Sequence, residues 1–159
     1  ISENLSAAAL KQISNWGIRS DADELSMVSE NAVKFTVDPA RLLQEAGVLS
    51  GGNQQKVALA KWLAIKPNLI LVNEPTRGVD VGARAEIYQK LRELADEGAA
   101  IIIASTDIQE ITNLPDRVIT VYRGIQIGEL ALEDMTAAMI LKEITDPFDE
   151  TGLQEGQVA

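Results

Sequence analysis

The chain has 159 residues, of which 46% are hydrophobic and 24% are charged, a balance typical of a soluble globular domain rather than of a disordered segment. Lysine and arginine number 14 against 24 aspartates and glutamates, and the resulting net charge of −10 disfavours binding to nucleic acid or to anionic lipid. The absence of cysteine and histidine excludes disulfides and leaves only oxygen ligands for a metal ion.

The first 48 residues are predicted to be helical and irregular. Ser2 can cap a first helix that runs to Gln12, and Asp21 can cap a second that runs to about Phe35. The inner face of the second helix is predicted from residues at helical spacing: Leu25, Val28, Ala32 and Phe35. Pro39 then opens a stretch with room for one more turn, Arg41 to Glu45, which Gly47 ends.

From residue 53 onward, helix and strand signals alternate. The predicted elements are a helix from Asn53 to Ile65, a strand from Leu69 to Val72, a helix from Gly82 or Ala83 to Glu97, a strand from Ala99 to Ala104 and a helix from Asp107 to Asn113. Both strands are entirely apolar, which is typical of strands covered on both faces. This alternation predicts an α/β fold with a mainly parallel sheet.

The last part of the chain is predicted to form a hairpin followed by a helix. Strands from Arg117 to Tyr122 and from Ile125 to Leu130 flank the turn residues Arg123 and Gly124. An amphipathic helix is predicted from Glu133 to Thr145, with its apolar face at Met135, Met139, Ile140 and Ile144. The residues after Asp146 are predicted to be a frayed tail.

One short string suggests an anion-binding helix end. Residues 49–55 read L-S-G-G-N-Q-Q at the start of the predicted helix. Ser50 can offer a hydroxyl group, while Gly51 and Gly52 expose backbone N–H groups at the positive end of the helix dipole. The alternative is that Ser50 is only a helix cap and that the glycines form only a turn.

A second string follows the first apolar strand. Residues 73–80 read N-E-P-T-R-G-V-D, so polar side chains stand where the strand ends. Together the two strings resemble the signature motif, Walker B strand and D-loop of ATP-binding cassette (ABC) ATPases. The spelling LSGGNQQKV with NEPTRGVDVGA is most similar to the second cassette of the double-cassette ATPases that drive bacterial importers of carbohydrates such as ribose, galactose or xylose.

The resemblance implies a fold and a set of site residues. The fold is a partial P-loop NTPase sheet with helices, preceded by a helical subdomain. In this family the signature motif closes over the γ-phosphate of ATP that a partner cassette holds, and the D-loop aspartate reaches across the same interface. The implied nucleotide-facing residues are Ser50, Gly51, Gly52, Asn53, Gln54 and Asp80. Asp80 has an alternative role as the N-cap of the helix that follows.

The Walker B positions are Asn73 and Glu74. The family has aspartate at the first position, which helps to hold Mg²⁺, and glutamate at the second, which orients or activates the attacking water. Asn73 lacks the negative charge that a hard cation favours, whereas Glu74 is retained. Asn73 could be native and impairing or an engineered substrate trap, deamidation is a third route to an altered residue at this position, and the sequence does not choose among these. The alternative for Glu74 is an ordinary surface carboxylate.

A second departure lies after the second apolar strand. Thr106 occupies the position where the family usually has a histidine that contacts the γ-phosphate. Threonine can donate a hydrogen bond but cannot relay a proton near neutral pH. The alternative is that Thr106 caps the short helix after it. With Asn73, this departure favours a cassette that assists a partner.

The chain contains no G-x-x-x-x-G-K-[ST] phosphate loop. Residues 1–6 are similar to the segment that follows the Q-loop, which suggests a piece of a longer protein. The resemblance divides this piece into a helical signature subdomain (1–66), a Walker B, D-loop and switch region (67–132) and a C-terminal helix and tail (133–159). We therefore expect the chain alone to bind ATP and Mg²⁺ poorly, and its incomplete sheet either to self-associate or to remodel.

The resemblance also implies partners and alternatives. The partners would be a second cassette, transmembrane permease subunits and, indirectly, a periplasmic or extracellular solute-binding protein, at the cytoplasmic face of the membrane. No nucleic acid is expected. A catalytically degenerate accessory cassette is one alternative. A soluble ABC protein of DNA repair or translation is another, which the net charge of −10 disfavours.

Overall fold

In the computed structural model, the chain divides into two compact units, Ile1–Ala104 and Ser105–Ala159. The structure describes residues 1–145, so the predicted tail after Asp146 lies outside the described residues. The three-part division proposed from the sequence stays a prediction. None of the helices within residues 1–145 combines the length and apolar character needed to cross a membrane.

The first unit begins with a small helical assembly. Its elements are helix α1 (Ser2–Ser6), a 3₁₀ turn (Ala7–Ala9), the short strands β1 (Ser14–Asn15) and β2 (Ile18–Arg19), helix α2 (Asp21–Lys34), 3₁₀ turns at Pro39–Arg41 and Ala46–Val48, and helix α3 (Gly51–Leu63). Helix α1 contacts both α2 and α3. The core residues of these three helices are Leu5, Val28, Ala32, Val57 and Ala60.

The predicted helix from Ser2 to Gln12 is wrong in its length and its cap. Ile1, not Ser2, occupies the N-cap position of α1, and the α-helix ends at Ser6. The chain then tightens so that the N–H groups of Gln12 and Ile13 both bond to the carbonyl of Ala9. This bend buries Ile13 and leads into the antiparallel β1–β2 hairpin, which the sequence analysis missed.

Three further predictions for this region need correction. Ser20, not Asp21, is the N-cap of α2, and its hydroxyl accepts a hydrogen bond from the N–H of Asp23 at 3.3 Å. The turn expected from Arg41 to Glu45 is instead two 3₁₀ turns, and Gly47 lies inside the second of them. In α2 the predicted residues Val28, Ala32 and Phe35 are buried, but Leu25 is 64% exposed. Glu24 faces inward in its place, because its carboxylate accepts a hydrogen bond from Ser6 Oγ at 2.7 Å and pairs with Arg19 Nε at 3.1 Å.

The rest of the first unit has a β–α–β order. Strands β3 (Leu69–Asn73) and β4 (Ala100–Ala104) pair in parallel through helix α4 (Val81–Asp96). Each lies within a few residues of its predicted bounds. The spacing of Ile87, Leu91 and Leu94 predicts one inner side of α4, and in the structure Ile87 and Leu91 are almost fully buried while Leu94 is half-buried.

The prediction that both strands are covered on both faces is wrong for this chain. Leu71 is 72% exposed and Ile102 is 58% exposed. Within residues 1–145, β3 and β4 pair in parallel and only with each other, and the other two sheets are antiparallel hairpins, so the parallel sheet is confined to two strands. The reason is that burial of an apolar strand depends on neighbouring strands and helices, which two strands cannot provide. The reduced sheet matches one predicted outcome, and self-association stays a prediction.

The second unit contains helix α5 (Ile108–Asn113), strands β5 (Arg117–Tyr122) and β6 (Ile125–Ala131), a 3₁₀ turn (Leu132–Asp134) and helix α6 (Ala137–Thr145). The hairpin is confirmed, and its turn residues Arg123 and Gly124 both have the positive φ that a tight two-residue turn requires. Helix α6 begins later than predicted, because the hydroxyl of Thr136 accepts a hydrogen bond from the N–H of Met139. Of its four predicted apolar residues, Met135 and Ile140 are buried, whereas Met139 and Ile144 are exposed.

Candidate functional site

The N-terminus of α3 presents the signature string to solvent. Ser50 has the extended backbone of an N-cap residue (φ −60°, ψ 156°), but its hydroxyl makes no capping hydrogen bond. Its carbonyl accepts from the N–H of Gln54 at 2.9 Å, so the N–H groups of Gly51, Gly52 and Asn53 are those that precede the helical ladder. Ser50 and Gly51 are exposed and Asn53 is half-buried, whereas Gly52 is buried, so the predicted exposure of the backbone is confirmed for Gly51 and wrong for Gly52. This helix end therefore offers a hydroxyl and backbone N–H donors for an anion.

Gln54 has a different role in this structure from that of its neighbours. Its side-chain amide donates to the carbonyl of Leu49 at 2.9 Å and, more weakly, to that of Gly47 at 3.4 Å. These bonds hold the loop before α3 against the helix. Gln54 therefore supports the shape of the signature turn, and its predicted contact with nucleotide stays a prediction.

The two signature glycines pack directly against the D-loop. A Cβ atom placed on Gly51 would lie 3.2 Å from the carbonyl oxygen of Gly78, and one placed on Gly52 would lie 2.6 Å from the Cβ of Ala83. The second distance is shorter than side chains tolerate, so only glycine fits at position 52 without a shift of α3 or α4. The glycines thus serve packing within the chain as well as exposure of the backbone.

An ion pair joins the same two helices one turn further along. Lys56 of α3, whose side chain is buried, pairs with Glu86 of α4. The carboxylate of Glu86 is about half exposed, so solvent screens part of the attraction. The pair nevertheless satisfies a buried ammonium group, and together with the glycine contact it fixes the start of α3 beside the start of α4.

The Walker B string forms a strained turn at the end of β3. Glu74 has a left-handed backbone (φ +49°), which is unusual for a residue other than glycine and costs about 1–3 kcal/mol. The N–H of Glu74 donates to the carbonyl of Ala104 at 2.8 Å, and its own carbonyl accepts from the N–H of Arg77 at 3.2 Å. The buried residues Pro75 and Thr76 anchor the turn from inside. Such strain at a strand end is typical of functional sites.

Asp80 and Asn73 lie at opposite ends of this segment. Asp80 is the N-cap of α4, and its carboxylate accepts a hydrogen bond from the N–H of Ala83 at 3.0 Å. Its alternative role as a cap is therefore confirmed, and its role across an interface stays a prediction. Asn73 is exposed at the end of β3 and lines an open, mainly apolar groove of about 370 Å³ between α3 and β3.

Thr106 lies in the second unit and does not cap α5. The cap is Asp107, whose carboxylate accepts a hydrogen bond from the N–H of Gln109 at 2.9 Å. The alternative that Thr106 caps this helix is therefore wrong. The first unit brings the signature residues close to Asp80. Asn73 and Glu74 stand at the start of the segment that leads from β3 to Asp80.

The residues of this chain do not by themselves fit ATP with Mg²⁺. Within residues 1–145, no three side chains of histidine, cysteine, aspartate or glutamate lie close enough together to hold a metal ion. The sequence also contains no phosphate loop to hold the β- and γ-phosphates. The helix end at Ser50 and the carboxylate of Glu74 offer only part of the groups that such a ligand needs.

Comparison with known proteins identifies the family. The family model described as "ABC transporter" matches residues 3–77. The chain is 44% identical over 141 residues to the ribose import ATP-binding protein RbsA 1 of Mesorhizobium japonicum, an alignment that covers 89% of this chain and 27% of that protein. It is 43% identical over 153 residues to the ribose import ATP-binding protein RbsA of Ruegeria sp., and this alignment covers 96% of this chain and 30% of that protein.

Solved structures share the fold. An ATP-binding cassette of an ABC transporter, MJ1267, superposes with a TM-score of 0.75 at 20% identity and covers 93% of this chain and 62% of that one. A dimeric post-hydrolysis structure of the cassette MJ0796, bound to ADP and phosphate, has a TM-score of 0.69 at 26% identity and covers 81% and 56%. This chain belongs to the family of ABC transporter ATP-binding domains, and its similarity to curated relatives supports the carbohydrate-importer type. The predicted family and fold class are confirmed.

The chain spans only 25–30% of the length of the curated relatives that it matches. The activity, substrate and partners of a complete protein are therefore matters for proposal.

The sequence analysis missed the residues that support the signature turn. Ala83, Gly78, Lys56 and Glu86 were not singled out, although each contacts or pairs with a residue of α3 or α4. A small residue at position 83 and a lysine inside an otherwise apolar helix face were visible signals. Their pairing across two helices could not be inferred from one sequence, because it depends on how α3 and α4 are packed.

Proposed function

We propose that this chain is part of the ATP-binding subunit of a bacterial importer for ribose or a chemically similar sugar. The support is the 38–46% identity to proteins named as ribose import ATP-binding proteins, which extends over 82–96% of the chain. The net charge of −10 and the absence of any basic patch with aromatic residues in the sequence argue against a nucleic-acid-dependent ABC protein.

One observation supports the proposed mechanism above the others. The signature turn, which presents a hydroxyl and backbone N–H groups at a helix start, lies against the D-loop. This arrangement suits a surface that closes over a nucleotide held elsewhere. The chain would then supply Ser50, Gly51 and Gly52 to ATP and Mg²⁺ bound by the phosphate loop of a partner cassette.

The other parts of the chain take their roles from this assembly. The helical region up to α3 would meet the transmembrane permease subunits at the cytoplasmic face of the membrane, and a solute-binding protein outside the membrane would act through them. The sugar would be selected by those subunits. The chain alone would bind MgATP weakly, because it would have only one side of the site.

The two departures at the catalytic positions favour a second candidate function. Asn73 lacks the metal-binding charge of an aspartate, and Thr106 cannot relay a proton, so the cassette could hold nucleotide without hydrolysing it. It would then be an accessory cassette whose signature supports hydrolysis at the partner's site. The substitution of Asn73 that is described in the Discussion distinguishes the two candidates.

Reconstitution tests the proposed function. The full-length subunit is assembled with its membrane subunits in lipid vesicles, and ATP hydrolysis is measured with and without a ribose-loaded solute-binding protein. We expect ribose to stimulate hydrolysis, and we expect Ser50→Leu to abolish the stimulation because the bulky side chain blocks the signature turn. Asp96→Leu, at an exposed position at the C-terminal end of α4 and outside the helical region, is the control and should leave it intact. Stimulation that survives Ser50→Leu would contradict the role of the signature turn.

A further inference from the structure

Gly52 of the signature helix α3 packs closely against Ala83 of α4, the helix that follows the D-loop. A Cβ atom on Gly52 would lie 2.6 Å from the Cβ of Ala83 and 3.4 Å from Cγ1 of Val79. Ala83 is the third residue of α4, and its N–H is the group that Asp80 caps. The side chain that limits α3 therefore belongs to the residue that also anchors the D-loop cap.

Two contacts at successive turns oppose sliding of α3 along α4. Gly52 and Lys56 are four residues apart on α3 and so share one face, while Ala83 and Glu86 are three residues apart on α4 and do the same. Gly52 faces Ala83, and Lys56 pairs with Glu86. Because the two contacts lie at successive turns, rotation or sliding of one helix along the other would disturb both of them.

We infer that Ala83 is a positioning residue that, through its contact at Gly52, holds the signature turn and the D-loop as one rigid surface facing the partner's nucleotide. The inference rests on the proposed function for its effect on hydrolysis, but the packing claim can be tested separately. It predicts that any added volume at Gly52 acts through Ala83, and not through a clash with nucleotide.

Paired substitutions in the full-length subunit test this inference. Gly52→Ala should lower kcat for ATP hydrolysis by about 100-fold, because a displacement of about 1 Å in positioning groups has an effect of that order. The KM for ATP should stay within about threefold, since the phosphate loop of the partner holds the nucleotide. Adding Ala83→Gly in the same chain removes the opposing methyl group and should restore most of the lost kcat.

Ala85→Gly is the matched control for the rescue. Ala85 is exposed on the same helix, so its replacement has the same effect on helix propensity without touching Gly52. Rescue by Ala83→Gly and no rescue by Ala85→Gly support the inference. If the double variant with Ala83→Gly stays as inactive as Gly52→Ala while both unfold cooperatively above the assay temperature, the inference is overturned. Equal rescue by both glycines also overturns it.

Thermal unfolding of the same variants separates this inference from the proposed function. If the unsubstituted transporter hydrolyses no ATP, the proposed function fails, and the unfolding midpoints then decide the packing claim. The midpoint should fall in Gly52→Ala and recover with Ala83→Gly but not with Ala85→Gly. A midpoint that does not recover with Ala83→Gly contradicts the contact itself.

Discussion

Replacing Glu74 with glutamine in the full-length subunit is expected to lower ATP turnover by about 10²- to 10⁴-fold, the range for loss of a general base. Glutamine has nearly the same size and keeps the backbone bonds to Ala104 and Arg77, so the strained turn should persist. The substitution removes the capacity of the carboxylate to take a proton from the attacking water or to orient that water as an anion. Turnover per folded molecule is the measurement.

Glu97→Gln is the matched control for this prediction. Glu97 is an exposed carboxylate at the C-terminal end of α4, so its loss should leave turnover within about twofold. If Glu74→Gln changes turnover no more than Glu97→Gln does, Glu74 is not the base, and hydrolysis takes place only at another site of the transporter.

Replacing Asn73 with aspartate is expected to raise turnover by about 10- to 100-fold, an effect of the size seen when a group that supports a metal ion is gained or lost. Asn73 is exposed at the end of β3, so the new charge remains in contact with water and has little desolvation cost. The gain should require Glu74, and the double variant Asn73→Asp with Glu74→Gln should therefore stay inactive. Steady-state hydrolysis at several Mg²⁺ concentrations measures the effect.

Asn68→Asp provides the control, because Asn68 is an exposed asparagine just before the same strand. It adds the same charge away from the turn and should not raise turnover. A rise with Asn73→Asp supports an impaired hydrolytic site. An unchanged rate would mean that Asn73 does not limit hydrolysis, which would remove the main argument for an accessory cassette.

Local patterns in the sequence were enough to predict most elements beyond residue 50. The spacing of Ile87 and Leu91 predicted the buried face of α4, and the residues Arg123 and Gly124 predicted the turn between β5 and β6. In both cases the signal and the structure lie within a few residues of each other. The signature, Walker B and D-loop strings were recognisable for the same reason, since each is a continuous segment.

Features that depend on distant parts of the chain could not be predicted. Glu24 replaces Leu25 on the inner face of α2 because Ser6 and Arg19, from two other elements, satisfy its carboxylate. The exposure of Leu71 depends on the strands around it and not on its own hydrophobicity. The left-handed backbone of Glu74 has no signal in residue type, because it is imposed by the bonds on either side of the turn.

The contact at Gly52 is another feature that depends on distant parts of the chain. The two glycines of the signature suggested an exposed backbone. The structure shows that the absence of their side chains also allows Gly78 and Ala83 to pack closely against them. Only the packing of α3 against α4 shows that the glycines have a role inside the chain as well as at its surface.

Protection of a single thiol tests most directly whether this surface serves the nucleotide of a partner cassette. The described chain has no cysteine, so Ser50→Cys introduces one exposed thiol at the signature turn, in a full-length subunit from which any other cysteines have been removed. We predict that ATP slows alkylation of this thiol only when the partner cassette is present, and that the control Asp96→Cys, exposed at the C-terminal end of α4, reacts equally under all conditions. Protection by ATP without the partner, or no protection with it, would contradict the proposal that the signature turn closes over a nucleotide held by another cassette.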